Sequence, residues 1–200
     1  MGVRDITPHC LLRLGRDQAS YDFVKWYATT GQESDYDWGN MDLPYLDTRD
    51  ADAFEPVDIY DVRFPELSHL VAVALIKVRL LIDLEMLQNV HLTSNIARTS
   101  NITLRERAIA ENTDLATRID RLRTQVSRLY QAVHAANSHF WPALLDPGDN
   151  LTARPHSYSP GDLEEVQLKL KYTYDAWHET PGAVEFIRAA LTVEGLLELC

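Results

Sequence analysis

Residues 65 to 90 are apolar on nearly every face of a helix. Leu67, Leu70, Val71, Ala74, Leu75, Val78, Leu81, Ile82, Met86 and Leu87 share one broad face, and Val73, Ile76, Leu80 and Leu84 continue it around the circumference. A helix apolar nearly all round belongs at the centre of a bundle, and Pro65 suits its start. After a polar connection expected over residues 92 to 102, helix resumes at Thr103. There Leu115, Ile119, Leu122, Val126, Leu129 and Val133 follow one another at spacings of 4, 3, 4, 3 and 4. That heptad seam predicts packing against the Pro65 helix within the chain, or against a second copy in a homodimer. The pattern stops near His139 to Pro142.

Residues 17 to 30 also read as helix. Tyr21, Val24 and Tyr27 recur at helical spacing, Phe23 and Trp26 widen the face, and Gly31 marks a stop. Val166 to Tyr174 alternates apolar and polar, which is a strand signal. Ser159-Pro160 ahead of Asp162, Glu164 and Glu165 resembles a helix N-terminus, and no second strand is evident to pair with it. Helix is therefore predicted there, with a last helix from Pro181 to Leu199 weakened at Gly195. The expected fold is all-α: a bundle of about five helices in a single domain, residues 1–200.

Residues 33 to 66 break this regularity. Eleven acids (Glu33, Asp35, Asp37, Asp42, Asp47, Asp50, Asp52, Glu55, Asp58, Asp61 and Glu66) face two bases, Arg49 and Arg63, which accounts for −9 of the net charge of −11. The same stretch holds Tyr36, Trp38, Tyr45, Phe54, Tyr60 and Phe64, and is broken by Pro44, Pro56 and Pro65. A solvated linker would be poor in aromatics. The expectation is a long irregular acidic loop, residues 32–64, packed on the bundle by its rings.

The acidic balance excludes broad binding to a nucleic-acid backbone. The most apolar stretch carries His69, Lys77, Arg79, Asp83 and Glu85, so no membrane span is expected. Two cysteines, Cys10 and Cys200, exclude a disulfide-dense scaffold. With no secretory layout at the N-terminus, a cytoplasmic location is expected, and the sequons at Asn101 and Asn150 are read as chance.

Candidate chemistry lies in three places. Asp35-Tyr-Asp37 with Asn40 and Asp42 is the donor type of a Ca²⁺ or Mg²⁺ site, and Asp35 and Asp37 are the candidate ligands. The calcium-loop pattern fails, with Gly39 at position five, Asn40 at the glycine position and Leu46 at position twelve. No cofactor is predicted, with a divalent metal as the alternative. His69, on the most buried helix, is the candidate catalytic histidine beside Asp35, Asp37 and Asp42. Tyr21, Lys25, Trp26, Trp38 and Asp47 are the candidate binding residues, since rings beside acids can hold an organic cation.

Tyr21 to Gly31 (YDFVKWYATTG), Asp35 to Asp47 (DYDWGNMDLPYLD), Phe140 to Leu145 (FWPALL), and the stretch from Ser159 through Trp177 to Gly182 together resemble a family of filamentous-fungal proteins. Some of its members carry a MYND-type zinc finger ahead of this region. That finger needs a cysteine-rich ligand set this chain lacks, so no zinc role transfers. The function expected from these features is a protein-interaction or regulatory module. It would present an acidic, aromatic-rich surface to a protein partner, one that is basic. The alternative is a small all-α enzyme using metal-assisted or acid–base chemistry, in fungal secondary metabolism, with a pocket between bundle and loop.

Overall fold

The computed structural model describes the backbone of residues 2–33, 35–60, 65–96 and 102–197, and the side chains of 2–33, 35–60, 65–90 and 113–190. Asp61, Arg63 and Phe64 of the acidic loop, the His91 side chain, the Asn101 sequon and Cys200 lie outside the described residues.

Seven α-helices are described: α1 (Val3–Arg13), α2 (Asp17–Ala28), α3 (Leu67–Ile96), α4 (Ile102–Ala136), α5 (Phe140–Leu145), α6 (Leu163–His178) and α7 (Ala183–Leu197). There is no strand among the described residues, so the fold is all-α. The alternating stretch 166–174 lies inside α6, as its N-terminal signals require. The capping residue is Asp162 rather than Ser159: its side chain accepts the Glu165 N–H at 2.8 Å. Residues 92–96, expected as connection, continue α3.

Two helices exceed the expected five. In α5, Pro142 is the third residue, where a missing N–H leaves no intrahelical bond unmade. In α1, Pro8 sits mid-helix and only Pro8, His9 and Leu12 are buried, so no apolar stripe announces it.

The long helices α3 and α4 form an antiparallel pair: Lys77 meets Gln125, while Glu85 further along α3 meets Arg123 earlier in α4. The heptad seam faces this partner. Ile119, Leu122, Val126, Leu129 and Val133 are buried within the chain, and Leu115 is partly covered. Of the two packings the seam allowed, the one within the chain is what the structure shows, and nothing in it supports the homodimer through these residues.

Around the pair, α1, α2, α6 and α7 close the core. A second aromatic nucleus forms where α4, α5 and α6 meet: Trp141 stacks on Tyr130 (5.2 Å), meets Trp177 edge-on (5.5 Å), and donates its indole N–H to the Tyr130 carbonyl. Arg79 of α3 ties four places together. It donates to the Leu12 carbonyl, to Asp17 at 2.6 Å, and twice to the Thr180 hydroxyl oxygen.

Candidate functional site

Among its described residues the acidic segment crosses the bundle with little regular structure, a 3-10 turn at Thr30–Gln32 leading into it and another at Asp58–Tyr60. Its main chain must find hydrogen bonds elsewhere, and helix side chains supply them. The Asp22 carboxylate, nearly buried on α2, accepts the N–H groups of Asp50 (3.1 Å) and Ala51 (2.9 Å). Gln18, one turn earlier, donates to the Ala51 carbonyl. Gln125 of α4 donates to the Phe54 carbonyl, and Lys77 of α3 donates to the Glu55 carbonyl at 2.7 Å. These bonds hold a backbone that is locally strained, with Leu46 and Asp50 in the left-handed region at φ 50° and 52°.

Lys77 is fully buried, its ammonium also donating to Gln125 Oε1 at 2.7 Å. Burial pushes that amine down to about 8, against the pull of Glu55 and Asp52. The Glu55 carboxylate accepts from the Tyr21 hydroxyl and the Lys25 ammonium, each at 2.7 Å. Two of the expected binding residues, Tyr21 and Lys25, thus share one carboxylate and serve to fasten the segment.

The other binding candidates build an aromatic platform. Trp26 is fully buried and donates its indole N–H to Asp47 at 3.1 Å. Four rings surround it edge-on at 5.0–5.8 Å: Tyr27, Tyr36, Trp38 and Tyr45. The Tyr27 and Tyr45 hydroxyls bond at 2.6 Å, and Tyr36 donates to the Pro44 carbonyl. Trp26 fills the interior, so the rings form a solid boss rather than an open cage. Its outer side is exposed: Trp38 at 54%, Tyr45 at 55% and Met41 at 92%. A methyl at Gly31 would meet the Trp26 and Tyr27 rings at 3.3 and 3.4 Å, so the turn after α2 runs close against the platform.

Beside Tyr27 a cleft opens between α1, α2, the segment and the start of α3, lined by Arg4, Tyr27, Gly31, Gln32, Glu66 and His69 among others. Its free space is about 40 Å³, room for a few water molecules. A broader groove of about 390 Å³ runs between the segment and α4, lined by Asp52, Phe54, Glu55, Arg118, Arg121 and Gln125. His69 is nearly buried in the cleft wall, and its Nε2 donates to the Arg4 carbonyl at 3.3 Å. Pro8 explains why that carbonyl is free: four residues on, it has no N–H to offer. His9 reciprocates from α1, its Nε2 donating to the Ser68 carbonyl at 3.0 Å. Burial holds both imidazoles neutral, His9 near 3 and His69 near 4. Burial alone would raise Glu66, yet its bond to the Lys169 ammonium and the Ser68 hydroxyl hold its carboxyl below the usual range.

The aspartates expected to join His69 do not. Asp35, Asp37 and Asp42 are exposed, and Asp37 accepts the Gly39 N–H in a local turn. The charged groups that face His69 are Glu66, Arg4 and Asp5. Among the described residues, no three of the His, Cys, Asp and Glu side chains gather as metal ligands. The sequence reading missed the roles of Glu55, Glu66, Lys77 and Gln125. Lys77 alone carried a signal, a lysine amid a run apolar on every face. No protein-family model, no curated protein and no solved structure matches the chain.

Proposed function

We propose that the chain is a protein-interaction module whose acidic, aromatic segment docks a basic segment of a partner protein. One observation carries this reading: Trp38 and Tyr45 stand exposed on a platform fixed from beneath by Trp26, in a stretch where Met41 and the carboxylates of Asp35, Asp37, Asp42 and Asp47 are exposed too. Rigid exposed rings are the residue type that concentrates binding energy in protein contacts. The carboxylates favour a basic partner and speed its approach. The enzyme alternative has His69 in a cleft, but none of its candidate aspartates, Asp35, Asp37 and Asp42, is among the charged groups that face it there. No helix among the described residues is long and apolar enough to cross a membrane. The cytoplasm is the proposed compartment and a fungal origin the proposed source, both on the sequence features alone.

The test is titration with an eight-residue peptide of alternating arginine and leucine, read by tryptophan fluorescence. Saturable binding is expected, weakening at least tenfold in Trp38→Ala and with added salt. Binding equal in wild type and Trp38→Ala, or none, refutes the reading.

A further inference from the structure

Resting on that reading, we infer that the cleft beside Tyr27 is the subsite for a guanidinium of the docking segment, and that Arg4 is its built-in competitor. The Arg4 guanidinium already lies over the Tyr27 ring, 4.7 Å from its centroid. That is the geometry in which a ring face attracts a planar cation. Arg4 is otherwise free to leave: its side chain is exposed, and among the described residues its guanidinium makes no ion pair and no hydrogen bond. The cation–π contact is what holds it, and at an exposed site such a contact is weak.

Tyr27 is the wall common to the cleft and the platform. One edge of it meets Trp26, its hydroxyl meets Tyr45, and its ring stacks with Trp38 at 6.4 Å. A peptide lying on Trp38 and Tyr45 therefore comes within side-chain reach of the Tyr27 face. The place Arg4 vacates over the ring is by its nature the size of one guanidinium, and about 40 Å³ of free space adjoins it. The exchange is neutral in charge, so the balance with Glu66 and the neutral His69 is the same before and after. His69 lines the same cleft, and with Nε2 donating to the Arg4 carbonyl its Nδ1 carries the lone pair. An ammonium has neither the planar face nor the fork of donors, so arginine is preferred over lysine.

A competitor bound in the free protein lowers the apparent affinity by the fraction of time it occupies the site. For a contact of this strength, removing Arg4 tightens binding about three- to sixfold. Three eight-residue peptides serve as probes, leucine alternating with arginine, lysine or citrulline, read by tryptophan fluorescence on wild type, Arg4→Ala and Arg4→Gln. The expected result is that the arginine peptide binds at least threefold tighter than the lysine peptide. Citrulline, which keeps the shape without the charge, binds weakest, and both Arg4 variants tighten the arginine peptide alone. Arginine and lysine peptides binding alike, with the Arg4 variants unchanged, would overturn the subsite while leaving the docking surface standing. Weaker arginine binding in both Arg4 variants would also overturn it, by making Arg4 part of the scaffold. No binding of any peptide would remove both readings.

Discussion

His9 and His69 clip α1 to α3 with two crossed bonds, each from a buried neutral imidazole to a carbonyl of the other helix, at 3.0 and 3.3 Å. The consequence is a steep acid dependence of stability. In the folded chain His9 titrates near 3 and His69 near 4; burial is the main cause for each. The groups facing them, Lys169 and His69 for the first, Glu66, Arg4 and Asp5 for the second, do not offset it. Unfolded, both titrate near 6.5. Their folded values are depressed, so their stabilisation is complete above about pH 6.5 and is lost as pH falls, down to about 4 for His69 and 3 for His9. Between pH 7 and pH 5 the unfolded chain takes up nearly one proton per histidine that the folded chain refuses. At about 1.4 kcal/mol per pH unit this is about 2 kcal/mol each, or about 4 kcal/mol for the pair. The assay is urea unfolding at pH 7, 6, 5.5 and 5, for wild type and for His9→Gln/His69→Gln. Glutamine keeps an N–H donor and removes the titration. Wild type should lose about 4 kcal/mol more than the double variant across that range. In parallel, the two imidazole ring protons should hold constant NMR shifts from pH 7 to pH 5. Equal acid sensitivity in the two proteins, or ring shifts moving with a midpoint near 6.5, would refute the argument.

Three further outcomes follow from the same geometry. Asp22→Ala removes the acceptor of two main-chain N–H groups and should cost about 2–4 kcal/mol in unfolding free energy. Amide exchange should quicken at Asp50 and Ala51 before it does in α3. Lys77→Met should destabilise by about 2 kcal/mol, because the Glu55 carbonyl and Gln125 Oε1 are left unpaired. Adding Gln125→Leu should recover part of that loss, which a double-mutant cycle by denaturant titration measures. Leu122→Ala should cost about 2–5 kcal/mol as a core cavity, while wild type sediments as a monomer. A concentration-dependent dimer broken by Leu122→Ala would contradict burial of the seam within the chain.

The helices legible in the sequence are those whose burial is periodic. Leu67 to Leu87 and Ile119 to Val133 each repeat at helical spacing because each faces a partner along its length. α1 was illegible for the opposite reason: it buries three residues, one of them a proline. Its place is fixed by His9, His69 and Arg79, whose partners lie 59 to 67 residues away and leave no spacing pattern. The acidic segment was legible as irregular and ring-packed because rings amid acids need something to pack on. Trp26, Trp38 and Asp47 do come together, and Tyr21 and Lys25 do as well. The joining residue, Glu55, was hidden because one carboxylate among eleven looks like the rest. Density of charge was a poor guide to convergence, since exposed aspartates repel one another and spread into water.

Five of the bonds that fasten the acidic segment, all between Asp50 and Glu55, run from helix side chains to its main chain. Asp22 grips two N–H groups, and Gln18, Gln125 and Lys77 grip three carbonyls. A side chain that holds a peptide group does not sense which residue that group belongs to. The outward-facing positions of the segment can therefore be rewritten while its path over the helices stays the same. The fold separates a mount from the surface it displays, as an antibody framework does for its loops. Partner choice can drift at outward-facing positions such as Asp35, Met41 and Asp42, whose exposed side chains are not what holds the segment, without new selection on the bundle beneath.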